Sequence, residues 1–145
     1  MADPFLTIAE FRAQSLPASA LQGRTNDEIT SALQWASDIA ISYVRKRATG
    51  PVISVGNEIK AAIGEIASFR LLKLRGFRPD SGDAQVAVKA YDDAIDWLRE
   101  LAKGNVEADF EDATPEVDEQ GALVSSDEPM SFSMVTGRTG RRRCT

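Results

Sequence analysis

The chain has 145 residues, 43% of them apolar, which is enough for one buried core and too few for two. It has no histidine and a single cysteine, Cys144, so the commonest general base, an internal disulfide and a Cys/His metal cluster are all excluded. The net charge of −5 is carried by residues 105–145, because the 13 acids and 13 bases of residues 1–104 cancel.

No run approaches the ~18–20 continuous apolar residues that cross a bilayer. The stretch "MADPFLTIAEF" lacks the basic flank and apolar core of a signal peptide. A soluble protein of a reducing cytoplasm is the expected setting, with no membrane and no cofactor.

In chain order, Thr7-Ile8-Ala9-Glu10 has capping-box spacing and predicts a short helix over 7–15. Pro17 suits the first turn of a brief second helix, 17–22, stopped by Gly23. Thr25-Asn26-Asp27-Glu28 repeats the capping box and opens a long helix, 26–48. Along it Ile29, Ala32, Leu33, Ala36, Ile39, Ala40, Tyr43 and Val44 step by three and four to form one apolar face. Gly50-Pro51 ends it, since proline disfavours helix in the residue before it.

A third helix is predicted over 56–75, with Ile59, Ala62, Ile63, Ile66, Phe69 and Leu74 on one side and Gly76 as a left-handed cap. Its last two turns also carry Leu71 and Leu72, so they are apolar nearly all round. Such an end is covered either at the centre of the bundle or by another chain, which makes Leu71, Leu72 and Leu74 candidates for a subunit interface. After the loop "FRPDSGD", a helix over 84–103 places Val88, Tyr91, Ile95, Leu98 and Ala102 on one face and stops at Lys103-Gly104. No period-2 run occurs in 1–104, so this part reads as all-α, with connections short enough for antiparallel neighbours.

The sequence divides at Gly104. From Glu107 to Glu128 there are nine acids and no base, with Pro115, Gly121 and Pro129 nearby. Residues 105–129 therefore read as an extended strap kept open by self-repulsion. In 130–145, Met130, Phe132 and Met134 alternate with Ser131 and Ser133, the pattern of a strand with one buried face. An arm of this kind gains backbone hydrogen bonds by adding a strand to a partner's sheet, and Arg138, Arg141, Arg142 and Arg143 follow it with charge for acidic groups. The plain alternative is a sticky loop with hydrated arginines.

Signs of catalysis are weak. Asp92, Asp93, Asp96 and Glu100 share one side of the fourth helix, but Lys89, Arg99 and Lys103 lie among them, and such lacing is that of a solvated surface. Arg45, Lys46 and Arg47 at the end of the long helix suit its dipole, with a phosphate contact as the sharper alternative. No nucleotide-binding glycine pattern and no nucleophile elbow is present. Trp35 and Trp97 stand at the edges of their apolar faces and read as packing. An enzyme is not expected.

Three stretches, "WASDIAISYVRKRATGPV", "IKAAIGEIASFRLLKLRGFRP" and "YDDAIDWLRELAKG", carry a resemblance. Tyr43, Arg47, Pro51 and Val52 mark the first; Ile66, Ala67, Leu71, Arg75 and Gly76 the second. Tyr91, Ala94, Trp97, Leu98, Leu101, Ala102 and Gly104 mark the third. In this order and spacing they resemble the Mu-like phage head–tail connector family, the neck adaptors or head-completion proteins. Coverage runs over residues 5–104, and Ala48 stands where the family often has an aromatic.

The resemblance implies a small helical bundle, assembled as a homo-oligomeric ring, typically of twelve copies. That ring lies in the virion neck, between the portal protein and a downstream neck or tail-terminator protein, and continues the channel for genomic double-stranded DNA. It further implies a subunit without catalytic residues. A channel must let the duplex slide, so a neutral or acidic lining suits it; Asp92, Asp96 and Glu100 are the channel-facing candidates, against a plain solvent-facing surface. The arm, through Met130, Phe132, Met134 and the arginines, is expected to grip the portal or an adjacent neck subunit. A rival reading from another class is a small helical regulator that binds nucleic acid through its arginine-rich end. The neutral domain and the acids upstream of that end count against it.

Overall fold

Three helices packed on one another form the core of the computed structural model, which describes residues 3–14, 21–76 and 82–113. They are α2 (Asn26–Val44), α3 (Asn57–Arg75) and α4 (Gly82–Lys103), and the short α1 (Ile8–Gln14) lies across α2 and α3. The expected all-α bundle is therefore what forms, with one small sheet added. No helix of the described residues is long and apolar enough to cross a membrane.

Capping chemistry sets the helix starts. The Thr25 hydroxyl accepts from the Glu28 N–H at 3.2 Å while the Glu28 carboxylate accepts from the Thr25 N–H at 3.1 Å. Thr7 and Glu10 make the same reciprocal pair, at 3.2 and 2.9 Å. Gly76 caps α3 with φ +79°, and Gly104 follows α4 with φ +85°. Of the brief helix expected over 17–22, residues 17–20 lie outside the described residues, as does the loop segment 77–81.

The apolar stripes meet as the periodicity requires. Ile29, Leu33, Ala36 and Ala40 of α2, Ile59, Ile63 and Ile66 of α3, and Leu98 of α4 are buried without measurable exposure. Trp35, Ile39, Tyr43, Tyr91 and Trp97 pack half-buried around them. Phe69 stacks on Tyr91 with ring centroids 4.4 Å apart, which sets the antiparallel register of α3 against α4. The Arg70 guanidinium lies over the Trp35 ring at 4.4 Å, in cation–π geometry. Both tryptophans thus serve packing.

Two expectations are corrected. The long helix was expected to reach residue 48 but ends at Val44. Beyond it the Lys46 and Arg47 amides turn back to the Tyr43 and Val44 carbonyls at 3.1 and 2.8 Å, a tighter winding than the α-helix. Arg45, Lys46 and Arg47 therefore lie past the helix rather than in its last turn. No strand was expected in 1–104, yet Val52–Val55 forms β1, paired antiparallel with β2 (Phe110–Asp112). Its register is Val52 with Asp112, Ser54 with Glu111 and Val55 with Phe110, with an irregularity between Val52 and Ser54.

The acidic segment consequently does not leave the bundle at Gly104. Residues 105–113 fold back, and the physical reason is a set of backbone donors waiting at the end of α2. The Asp112 carboxylate accepts from the Thr49 N–H at 2.6 Å, the Thr49 hydroxyl at 3.0 Å and the Gly50 N–H at 3.3 Å. Close approach is secured by glycine. A Cβ on Gly50 would collide with the Ala113 carbonyl oxygen, and one on Gly56 would come within 2.9 Å of the Asp109 backbone. Pairing of carboxylate with backbone N–H overrides the self-repulsion that the acidic composition suggests.

The segment before α2 is pinned separately. The buried Ser37 hydroxyl accepts from the Phe5 N–H at 3.2 Å, and Lys60 of α3 donates to Glu10 at 2.8 Å. That ammonium, followed by the Thr7 backbone and hydroxyl, lowers the Glu10 carboxyl to a pKa of about 2. The folded value is depressed, so the contribution is present above the ordinary value of 4.5 and is lost as pH falls toward 2. Glu10 is more than a third exposed, so water screens the pair and its contribution is small. In Glu10→Gln the stability deficit relative to wild type is expected to narrow as pH falls from 4.5 toward 2, read from melting temperatures across that range. A deficit independent of pH would refute this account.

Candidate functional site

The described residues present open apolar and charged patches. Among the described residues no group of His, Cys, Asp and Glu is arranged to hold a metal ion. The three leucines singled out at the end of α3 separate in space. Leu71 is 3% exposed and belongs to the core, Leu72 is half-buried, and Leu74 is 60% exposed. Rotation does not explain the split, because Leu71 and Leu74, three residues apart, share a side of the helix. Position along the axis does, since Leu71 is the last buried residue of α3 and Leu74 lies in the final turn beyond it. Leu71 is held further by its carbonyl, which accepts from Arg24 at 3.4 Å.

Asp92, Asp96 and Glu100 lie together on the outward side of α4. Asp96 pairs with Arg99 at 2.8 Å, and Glu100 with Lys103 at 2.7 Å and with the Asn105 amide at 2.6 Å. Asn105 first and Lys103 second hold the Glu100 carboxyl below its ordinary range. The neighbouring Asp93 pairs with Lys89 at 2.8 Å. The result is a mixed-charge face on which Asp93, Asp96 and Glu100 are each matched by a neighbouring base. Met130, Phe132, Met134, Arg138, Arg141, Arg142 and Arg143 lie outside the described residues, and so does the strap beyond residue 113.

Sequence reasoning missed two features. One is the isolated exposure of Ile53 on β1 (62%) and Val86 on α4 (69%), both apolar side chains left in water. The other is a groove of about 540 Å³ between α3 and α4. It is lined by Ala61, Ala62, Ala90, Ala94 and Trp97 together with the carboxylates of Glu58, Glu65 and Asp93. The legible signal was the run of alanines on the facing sides of two helices, since small side chains leave space where helices pack. Glu65 is the unusual member. It is half-buried, its carboxyl is pushed up by desolvation, and among the described residues it has no hydrogen-bond or ion-pair partner.

No curated protein matches the chain. The family model described as Bacteriophage Mu, Gp36 matches residues 7–126.

Proposed function

Because the chain belongs to the bacteriophage Mu Gp36 family, which makes it a phage structural or assembly protein, we propose that it is a subunit of the head–tail connector ring. In this reading it joins the portal to the tail and continues the DNA channel in the virion neck. It acts without catalysis or cofactor. The observation that carries the proposal is the family match, which runs from the first capping box through all four helices and into the acidic segment.

The geometry suits such a part. A three-helix core with the short α1 and a two-stranded clasp gives a firm body, and residues 114–145 follow as a polar extension too poor in apolar side chains for a core of their own. The Asp92/Asp96/Glu100 side of α4 faces the channel in this reading. Asp96 and Glu100 are paired with Arg99 and Lys103, so those two cations form no free row to grip phosphates. The arm, through Met130, Phe132 and Met134 and the terminal arginines, reaches the portal or an adjacent neck protein.

Removing residues 125–145 tests the arm directly. Helix content by circular dichroism is expected to stay unchanged, while attachment to portal-bearing heads is lost in a co-sedimentation assay. Attachment that survives the deletion would refute the arm's role. Steeply salt-dependent, micromolar binding of the full chain to duplex DNA would instead favour the nucleic-acid-binding regulator.

A further inference from the structure

The groove between α3 and α4 has an incomplete rim. Glu65 is half-buried without a partner, and Glu58 beside it likewise has no ion pair among the described residues. Placing a carboxylate partly out of water without a cation is unfavourable, and an incoming positive group relieves that cost. Thirteen residues beyond Ala61, the same helix carries a complementary feature. Leu74 projects into solvent at 60% exposure, between Lys73 and Arg75, whose side chains are exposed and make no ion pair among the described residues. An apolar knob with a cation on either side thus exists on the same molecule as an alanine-lined hollow with two carboxylates, and none of these four charges is paired among the described residues.

Their placement determines the symmetry. Nine residues separate Glu65 from Leu74, about two and a half helical turns and about 14 Å along the axis. Knob and groove therefore face opposite ways. A two-fold contact buries the same patch on both copies, whereas patches facing opposite ways pair only head-to-tail. We infer that Leu74 of one copy seats in the α3/α4 groove of the next, with Lys73 and Arg75 pairing with its Glu65 and Glu58. The occupant is a second copy of this chain. The inference deepens the ring reading and rests on it, since a head-to-tail contact closes into a ring when the rotation permits.

Charge reversal tests the pairing in the full-length chain, by sedimentation velocity and native mass spectrometry over a concentration series, with circular dichroism as the folding control. The variants are Glu58→Lys with Glu65→Lys, Lys73→Glu with Arg75→Glu, and an equimolar mixture of the two. Each variant by itself is expected to self-associate at least about tenfold more weakly than wild type, and the mixture to recover hetero-association. The milder Glu65→Gln, which keeps the shape, is expected to weaken association in the same direction. Oligomers that persist in both reversed variants overturn this interface and leave the ring reading standing. A wild-type chain that stays monomeric at every concentration, and also on portal-bearing heads, overturns both. Recovery in the mixture supports both.

Discussion

Phe11→Ala is expected to lower stability by about 3–5 kcal/mol, the cost of emptying a fully buried aromatic site. Phe11 is the one fully buried residue of α1, with no exposed surface. A helix of seven residues does not persist unaided, because nucleation costs more than so few hydrogen bonds return. Once the ring is gone, α1 keeps only the half-buried Ile8, the Glu10–Lys60 pair and the Arg12–Asn26 hydrogen bond, and leans on Leu6 and the Phe5–Ser37 hydrogen bond in the segment before it. Folded domains hold only about 5–15 kcal/mol in total, so this one substitution removes a large share. Denaturant titration measures the loss, and hydrogen exchange over residues 3–14 is expected to accelerate most. A loss below about 1 kcal/mol, with exchange unchanged, would mean that α1 is dispensable to the core.

The second large effect divides two leucines that look equivalent in the sequence. Leu71→Ala is expected to cost about 2–5 kcal/mol, because Leu71 is enclosed by the bundle and its loss leaves a cavity. Leu74→Ala, in contrast, is expected to change monomer stability by no more than about 0.5 kcal/mol, because Leu74 touches mainly water. Self-association is expected to show the reverse order, with Leu74→Ala the damaging change. Unfolding midpoints of the monomer and sedimentation of the assembled form read the two effects separately. Equal destabilisation of the monomer by both variants would contradict the placement of Leu74 in the exposed last turn of α3.

Much of the fold was legible because it follows from local rules. The 3.6-residue period identifies α2, α3 and α4, and the capping boxes Thr7–Glu10 of α1 and Thr25–Glu28 of α2, with Gly76 after α3, set those helix ends to within a few residues. The early end of α2 was not legible. Its helical pattern continues through Arg45–Arg47, but Thr49 and Gly50 are drawn to Asp112, which lies far along the chain. The clasp of β1 and β2 was hidden for the same reason. Strands of four and three residues show almost no alternation, and Ser54 meets Glu111 across a separation of 57 residues.

The candidate surfaces divide along the same line. That Asp92, Asp96 and Glu100 share a solvated side, laced with bases, follows from spacing on one helix. The α3/α4 groove does not, because it exists only once the alanines of two helices are brought face to face. By itself the sequence determined which segments wind into helices and which side of each is apolar, since both depend on neighbours within about four positions. Tertiary structure decided that Leu71 is covered and Leu74 is not, that Asp112 closes over Gly50, and that Glu65 is half-buried without a cation among the described residues. Those outcomes depend on what other elements lie against each residue, and no periodicity along a single stretch of chain encodes that.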